Sequence, residues 1–284
     1  MNLLLFFLGA GIGSFLGVIG DRYREGVFIL DKSIVGGRSR CETCGKKLRW
    51  FELIPVLSFL FQRGRCLSCG RWIGWHYLFT ELTSGLLFVF IARKIEYSYY
   101  YFTNQNFYLL SAIWIAIFSI LLLVLLIDFR LKIIPDELSI TLVFLGFLIT
   151  AIQPLDALTG SFLGHYGSFL GLRSNVWINH IAAAAVAAIF FAFLIAVTKG
   201  RGMGGGDLKL VAAIGFIFGW PDILLVMMLA FITGSIFGII AIALKKEKLK
   251  SQIAFGPFIA LSAAAVFFFG YEIIDFYLSF LPSQ

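Results

Sequence analysis

Charge is scarce in this 284-residue chain: 14% of its side chains are Asp, Glu, Lys or Arg, against 60% hydrophobic. With a mean hydropathy of +0.93, it has too little polar surface to coat a water-soluble globule, which excludes that class. Histidine is scarcer still, and His76, His165 and His180 are too scattered to form a ligand cluster. Acidic residues number 16 against 23 basic ones, for a net charge of +7. No aromatic-basic recognition module accompanies that surplus, so nucleic acid is not an expected partner. No internal repeat is visible, and the four cysteines all lie between positions 41 and 69.

Apolar runs of bilayer length are what the chain has in abundance. Segments near 1–20, 76–94, 107–127, 136–152, 176–198, 207–220, 223–244 and 253–279 each approach what a hydrocarbon core of about 30 Å requires. They predict an all-α integral membrane protein of about eight transmembrane helices. Two of the segments, 136–152 and 207–220, are short enough to be tilted, half-inserted or broken. The opening run lacks a basic start and its arginines follow it, so it reads as a retained span and not a signal peptide. "GAGIG" (9–13) lies inside that span with no strand before it, which predicts close helix packing in preference to a nucleotide loop. The 32 phenylalanines are expected to fill lipid-facing and interhelical volume.

Loop charge sets the expected orientation. Twenty of the 23 Lys and Arg residues fall in 21–75, 128–135, 199–209 and 245–250, all on one side if there are eight spans. That side should be the cytoplasm, with both termini outside. "KKEKLK" (245–250) then reads as a topology-setting contact with anionic lipid, and 153–175, with its paired "GSFLG" strings, as an outer surface connector. The chain divides into a first transmembrane helix (1–20), a polar cysteine loop (21–75) and a membrane body (76–284).

"CETC" (Cys41, Cys44) and "CLSC" (Cys66, Cys69) are separated by 21 residues, near the zinc-ribbon pattern of four thiolates around one tetrahedral ion. Each pair is followed by a glycine that permits the tight turn aiming two sulfurs at one metal. Nearby Arg40, Lys46, Lys47, Arg65 and Arg71 offset the negative charge of a tetrathiolate. Two disulfides or a redox pair are the alternatives; a cytosolic placement disfavours the first, and the lack of a surrounding βαβ pattern the second. Such a closed site is expected to fold the loop and not to catalyse.

Ionisable groups within spans are functional candidates by default. Asp128 ends the third span and Asp207 opens the sixth, so the two reach one depth on the same side although 79 positions apart. Two carboxylates meeting there suggest an aspartic protease dyad, one accepting a proton from water and the other donating to the peptide carbonyl, with no catalytic metal required. Gly204, Gly205 and Gly206 would free the backbone and remove bulk so that an extended substrate can approach Asp207. The plainer alternatives are a helix cap at Asp207 and a snorkelling Asp128–Arg130 pair. Asp136 resembles an N-cap of the fourth span. Glu81, a turn inside the second span, must face protein or a polar cavity.

These residues resemble the type IV prepilin peptidase family, the integral-membrane aspartic peptidases of bacterial pilus and type II secretion systems. The resemblance rests on "GSFLGV", the "CETC" and "CLSC" pairs around "LRWFELIPVLSFLFQRGRC", "IDFRLKIIPDELS", "GMGGGDLKL" and "FGPFIAL". It implies Asp128 and Asp207 as the catalytic pair in the bacterial inner membrane. It implies prepilin or pseudopilin substrates, cut after a glycine at the cytoplasmic face to release a short basic leader. Methylation of the new amine by S-adenosylmethionine is implied as well, with no donor site legible in the residues. The competing classes are a transporter or channel using the intramembrane aspartates, and a zinc-ribbon docking subunit. The sequence leaves the oligomeric state open.

Overall fold

The computed structural model describes residues 2–41, 43–99, 107–152, 175–200, 202–244 and 254–279. Among them the regular structure is helical: α1 (Asn2–Arg22), α2 (Lys32–Val35), α3 (Leu57–Phe61), α4 (Trp75–Tyr99), α5 (Phe107–Leu131), α6 (Asp136–Ile152), α7 (Val176–Thr198), α8 (Gly205–Phe218), α9 (Asp222–Ala243) and α10 (Gly256–Ser279). A short 3₁₀ turn, Trp50–Leu53, precedes α3. Every apolar run of the sequence has become a helix. Five of them, α1, α5, α7, α9 and most of α10, are long and apolar enough to cross a membrane; α6 and α8, with 17 and 14 residues, are the two expected to be short. Large apolar side chains on the helices' outer surfaces, such as Ile189 at 68% and Phe193 at 63% exposure, are the natural lining toward lipid.

The chain separates into two compact units, Met1–Arg93 with Trp114–Ile127, and Lys94–Ile113 with Asp128–Gln284. In the first, the glycines of α1 bring its backbone against α4. A Cβ at Gly9 would lie 2.7 Å from Phe88, and one at Gly13 would lie 2.6 Å from the Thr80 carbonyl and 2.7 Å from Ser84. "GAGIG" is therefore a packing motif, as small residues in membrane helices usually are.

In the second unit α8 packs against α6 and α7, and α9 against α10. A Cβ at Gly215 would meet the Ala183 carbonyl at 2.9 Å, which lets α7 and α8 cross closely. Asn175 caps α7, accepting from the Trp177 N–H at 3.0 Å. Gly219, at φ +75°, stops α8, and the side chain of Asn179 holds the following turn through both the N–H and the carbonyl of Trp220. Phe191 of α7, Phe231 of α9 and Phe255 pack as tilted rings with centroids 5.2–6.0 Å apart. That cluster anchors the residue directly before α10, and α10 begins at the candidate active site. All of the 153–175 connector except Asn175, including His165, and "KKEKLK" lie outside the described residues.

Candidate active site and metal centre

Asp128 sits one turn before the end of α5, which stops where Lys132 turns left-handed at φ +57°. The chain then passes through Ile134 and Pro135 into α6. Asp128 is 3% exposed, and its Oδ2 accepts the backbone N–H of Gly256 at 2.9 Å, from 128 residues further along the chain. Asp207 is the third residue of α8 and 9% exposed. Its Oδ2 accepts the N–H of Gly204 at 3.0 Å, and the peptide dipoles of the first turn favour its negative charge.

Ile134 brings these pieces to one place. A Cβ on Gly206 would lie 3.2 Å from the Ile134 Cβ; one on Gly256 would lie 3.2 Å from the Ile134 Cδ1 and 2.6 Å from Asp128 Oδ2. The two carboxylates are within electrostatic reach of each other. Each has one oxygen tied to a backbone N–H, and neither Oδ1 has a hydrogen bond among the described residues. Two such groups can share one proton, which fits them for paired acid and base work on a bound water.

The glycines require a correction. Gly204 has ordinary extended angles (φ −92°, ψ 162°), Gly205 and Gly206 are helical, and none of the three is left-handed. Backbone freedom is thus not what selects glycine here; the missing side chain is. A Cβ on Gly205 would meet nothing within 4 Å and one on Gly204 only contacts at 3.9 Å, so both face open space, while Gly206 lets α8 close on Ile134. Asp207 does serve its helix terminus, through Gly204. Asp136 opens α6 and its carboxylate receives Lys209 of α8 at 2.7 and 2.8 Å, an ion pair that ties α6 to the first turn of α8.

The cysteines form two matching knuckles in the first unit. Gly45 and Gly70 are left-handed at φ +68° and +67°, and their N–H groups close on the Cys41 and Cys66 carbonyls, both at 2.9 Å. Isolated bridges pair Arg40 with Lys47 and Arg65 with Trp72. The four Sγ atoms lie within 4.8 Å of one another. A tetrahedral ion with Zn–S bonds of about 2.3 Å places its sulfurs about 3.8 Å apart, which is the Cys41–Cys69 separation of 3.8 Å. All four cysteines are free.

Backbone N–H groups of Cys44 and Thr43 hold the Cys41 thiol down at about 6, and those of Cys69 and Ser68 lower Cys66. At Cys69 the Arg71 N–H acts in the same direction, yet burial and the three neighbouring thiols outweigh it and push that group up to about 11. A cation among the sulfurs removes this conflict by binding them all as thiolates. The residues therefore fit a structural metal ion.

Beside the knuckles lies a cavity of about 570 Å³, lined among others by Ser14 of α1, Tyr77 and Glu81 of α4, and Glu52, Phe59 and Trp72 of the loop. Glu52 is buried, accepting the Arg49 N–H at 2.8 Å and Lys46 at 3.2 Å. Glu81 is 7% exposed and accepts the Val56 N–H at 2.7 Å. The pairings of Gly256, Lys209, Glu52 and Val56 have no periodic or spacing signal in the sequence. The only hint was the glycine of "FGPFIAL" directly before a proline at a helix start.

Residues 7–95 match the bacterial peptidase A24 N-terminal domain, and residues 115–239 the type IV leader peptidase family. A prepilin leader peptidase/N-methyltransferase of Bacillus subtilis is 31% identical over 277 residues, covering 97% of each chain. Proteins of the same description from Pseudomonas aeruginosa and Legionella pneumophila are 29% and 28% identical, covering 98% and 86% of this chain and 93% and 76% of their own. No solved structure matches.

Proposed function

The chain belongs to the type IV leader peptidase family, and on that premise we propose that it removes the leader from prepilins or pseudopilins and then N-methylates the exposed amine. The observation that carries the cleavage reading is the convergence of buried Asp128 and Asp207, each pinned by a backbone N–H. In the proposed reaction the pair holds one proton. The ionised member takes a proton from the attacking water while the protonated member donates to the carbonyl oxygen, and the proton then passes to the leaving amine as the peptide bond breaks. Gly204 and Gly205 leave room for the substrate strand beside Asp207. The cut falls after a glycine at the cytoplasmic face of the inner membrane, where a short basic leader remains in water and the following apolar segment lies in lipid.

The metal is zinc, bound by Cys41, Cys44, Cys66 and Cys69 to fold the loop, and methyl transfer belongs to the cysteine loop and the helices beneath it. S-adenosylmethionine supplies the methyl group when bound. A transporter reading is not favoured, since both aspartates converge on one site and, among the described residues, no acidic relay leads away from it. Purified protein incubated with a prepilin and labelled S-adenosylmethionine tests both activities, with leader release and label incorporation followed separately. Asp128→Asn and Asp207→Asn should each abolish the first; leader release by either variant would defeat the cleavage assignment.

A further inference from the structure

Glu81 is a buried carboxylate that the cleavage chemistry does not use. It lies six residues into α4, about 9 Å along the helix from its start, and lines the cavity beside the cysteine knuckles. Its Oε2 accepts the Val56 N–H, and the Ser14 hydroxyl also reaches it. Among the described residues no Lys, Arg or His forms an ion pair with it. Glu52 of the same cavity differs, because Lys46 neutralises it at 3.2 Å. Asp21 differs too, being 30% exposed with His76 at 3.2 Å. Arg22, Arg40, Arg71 and His76 also line this cavity, yet none forms an ion pair with Glu81, so a cationic ligand entering the cavity would supply the direct counter-charge that Glu81 lacks.

The backbone is arranged to hold that carboxylate. Val56 sits at φ 62°, ψ −52°, and the Leu57 N–H bonds back to the Pro55 carbonyl at 2.6 Å. This is a γ-turn of the rare, strained hand, centred on a β-branched residue. Strain of this kind persists where surrounding contacts over-determine it, and it is enriched at ligand sites. Here the strained N–H fixes one oxygen of Glu81 and so orients the carboxylate at the cavity.

We propose that this cavity receives the free α-amine of the cleaved substrate, with Glu81 as its counter-charge and proton acceptor. The inference rests on the methyl-transfer reading above. The new N-terminus heads an apolar segment, and the walls offered by Phe59 and Tyr77 suit the apolar side chain beside its ammonium. An ammonium has no lone pair for nucleophilic attack. Glu81 takes one proton from it; the freed nitrogen lone pair bonds the methyl carbon of the sulfonium donor, whose C–S electron pair stays on sulfur as a neutral thioether. The product is a methylated ammonium, and the proton on Glu81 returns to water.

The test compares binding of two peptides carrying the first residues of a cleaved prepilin, one with a free amine and one N-acetylated, to the detergent-purified full chain. Wild type should prefer the free amine by about tenfold or more, and Glu81→Gln, whose amide oxygen can still accept the Val56 N–H, should bind both alike. Metal content of the same sample reports folding of the loop. No preference in wild type overturns the proposal whatever the variant does, as does a preference retained in a folded Glu81→Gln protein. Wild type that discriminates the amine but transfers no label leaves the amine site standing and removes the methyl-transfer reading. Label transfer without discrimination does the reverse.

Discussion

The cysteine loop and the aspartate pair are both built around closely placed acidic groups, but they are assembled by opposite means. The four thiols come from two short, nearly identical turns within 29 residues of chain, each closed by a left-handed glycine. The two carboxylates come from different helices and are fixed by N–H groups of Gly204 and Gly256. Local turn chemistry shapes each pair of thiols within its own knuckle. Helix packing places the aspartates, so their geometry depends on Ile134, on the Phe191–Phe231–Phe255 cluster and on the start of α10.

The largest expected effect isolates the second site. Asp128→Asn or Asp207→Asn should lower leader release by about 10²–10⁴-fold, measured by gel or mass spectrometry, with bound metal unchanged. Next, Cys41→Ser or treatment with a strong chelator should release the metal and unfold the loop, seen as lost zinc by elemental analysis and protease cleavage within 21–75; methyl transfer should be lost, and leader release should fall far less. Gly256→Ala sharpens the contrast, since its Cβ would lie 2.6 Å from Asp128 Oδ2 and the carboxylate must move. A displacement on that scale should cost about 10²-fold in kcat, whereas alanine at Gly205, with nothing within 4 Å, should leave the helix intact.

Smaller effects follow from the charged pairs. The Arg49 N–H, with Lys46 beside it, holds the Glu52 carboxyl below its ordinary range. Its contribution to loop stability is therefore present above the ordinary carboxylate pKa and is lost as the pH falls through the lowered one; thermal melts of the metal-loaded protein should show this loss on acidification, and Glu52→Gln should remove it. Smallest is Lys209→Ala. That pair with Asp136 is 52% and 61% exposed, and its loss should cost only about 0.2–1 kcal/mol, a slight drop in melting temperature.

The helices were legible because hydropathy alone sets where a membrane chain must satisfy its backbone; the runs 136–152 and 176–198 coincide with α6 and α7. The cysteine site was legible for a related reason, since CxxCG turns carry their geometry in their own spacing. Asp128 and Asp207 were found by counting spans. The contacts that fix them were not, because a backbone N–H at Gly256 has no side chain to announce it and its partner lies 128 residues away. The glycine triplet was read both for backbone freedom and for its missing bulk; its angles are ordinary, and the close approach falls at Gly206 against Ile134. Glu81 stood out by polarity within an apolar run; what it meets, a strained turn at Val56, depends on how the loop folds back over α1 and α4.

The most direct measurement gives Asp207→Asn protein two substrates, an intact prepilin and the same chain already lacking its leader, together with labelled S-adenosylmethionine. A catalytic Asp128–Asp207 pair requires no leader release from the first and wild-type labelling of the second. Continued leader release from the first substrate would contradict it.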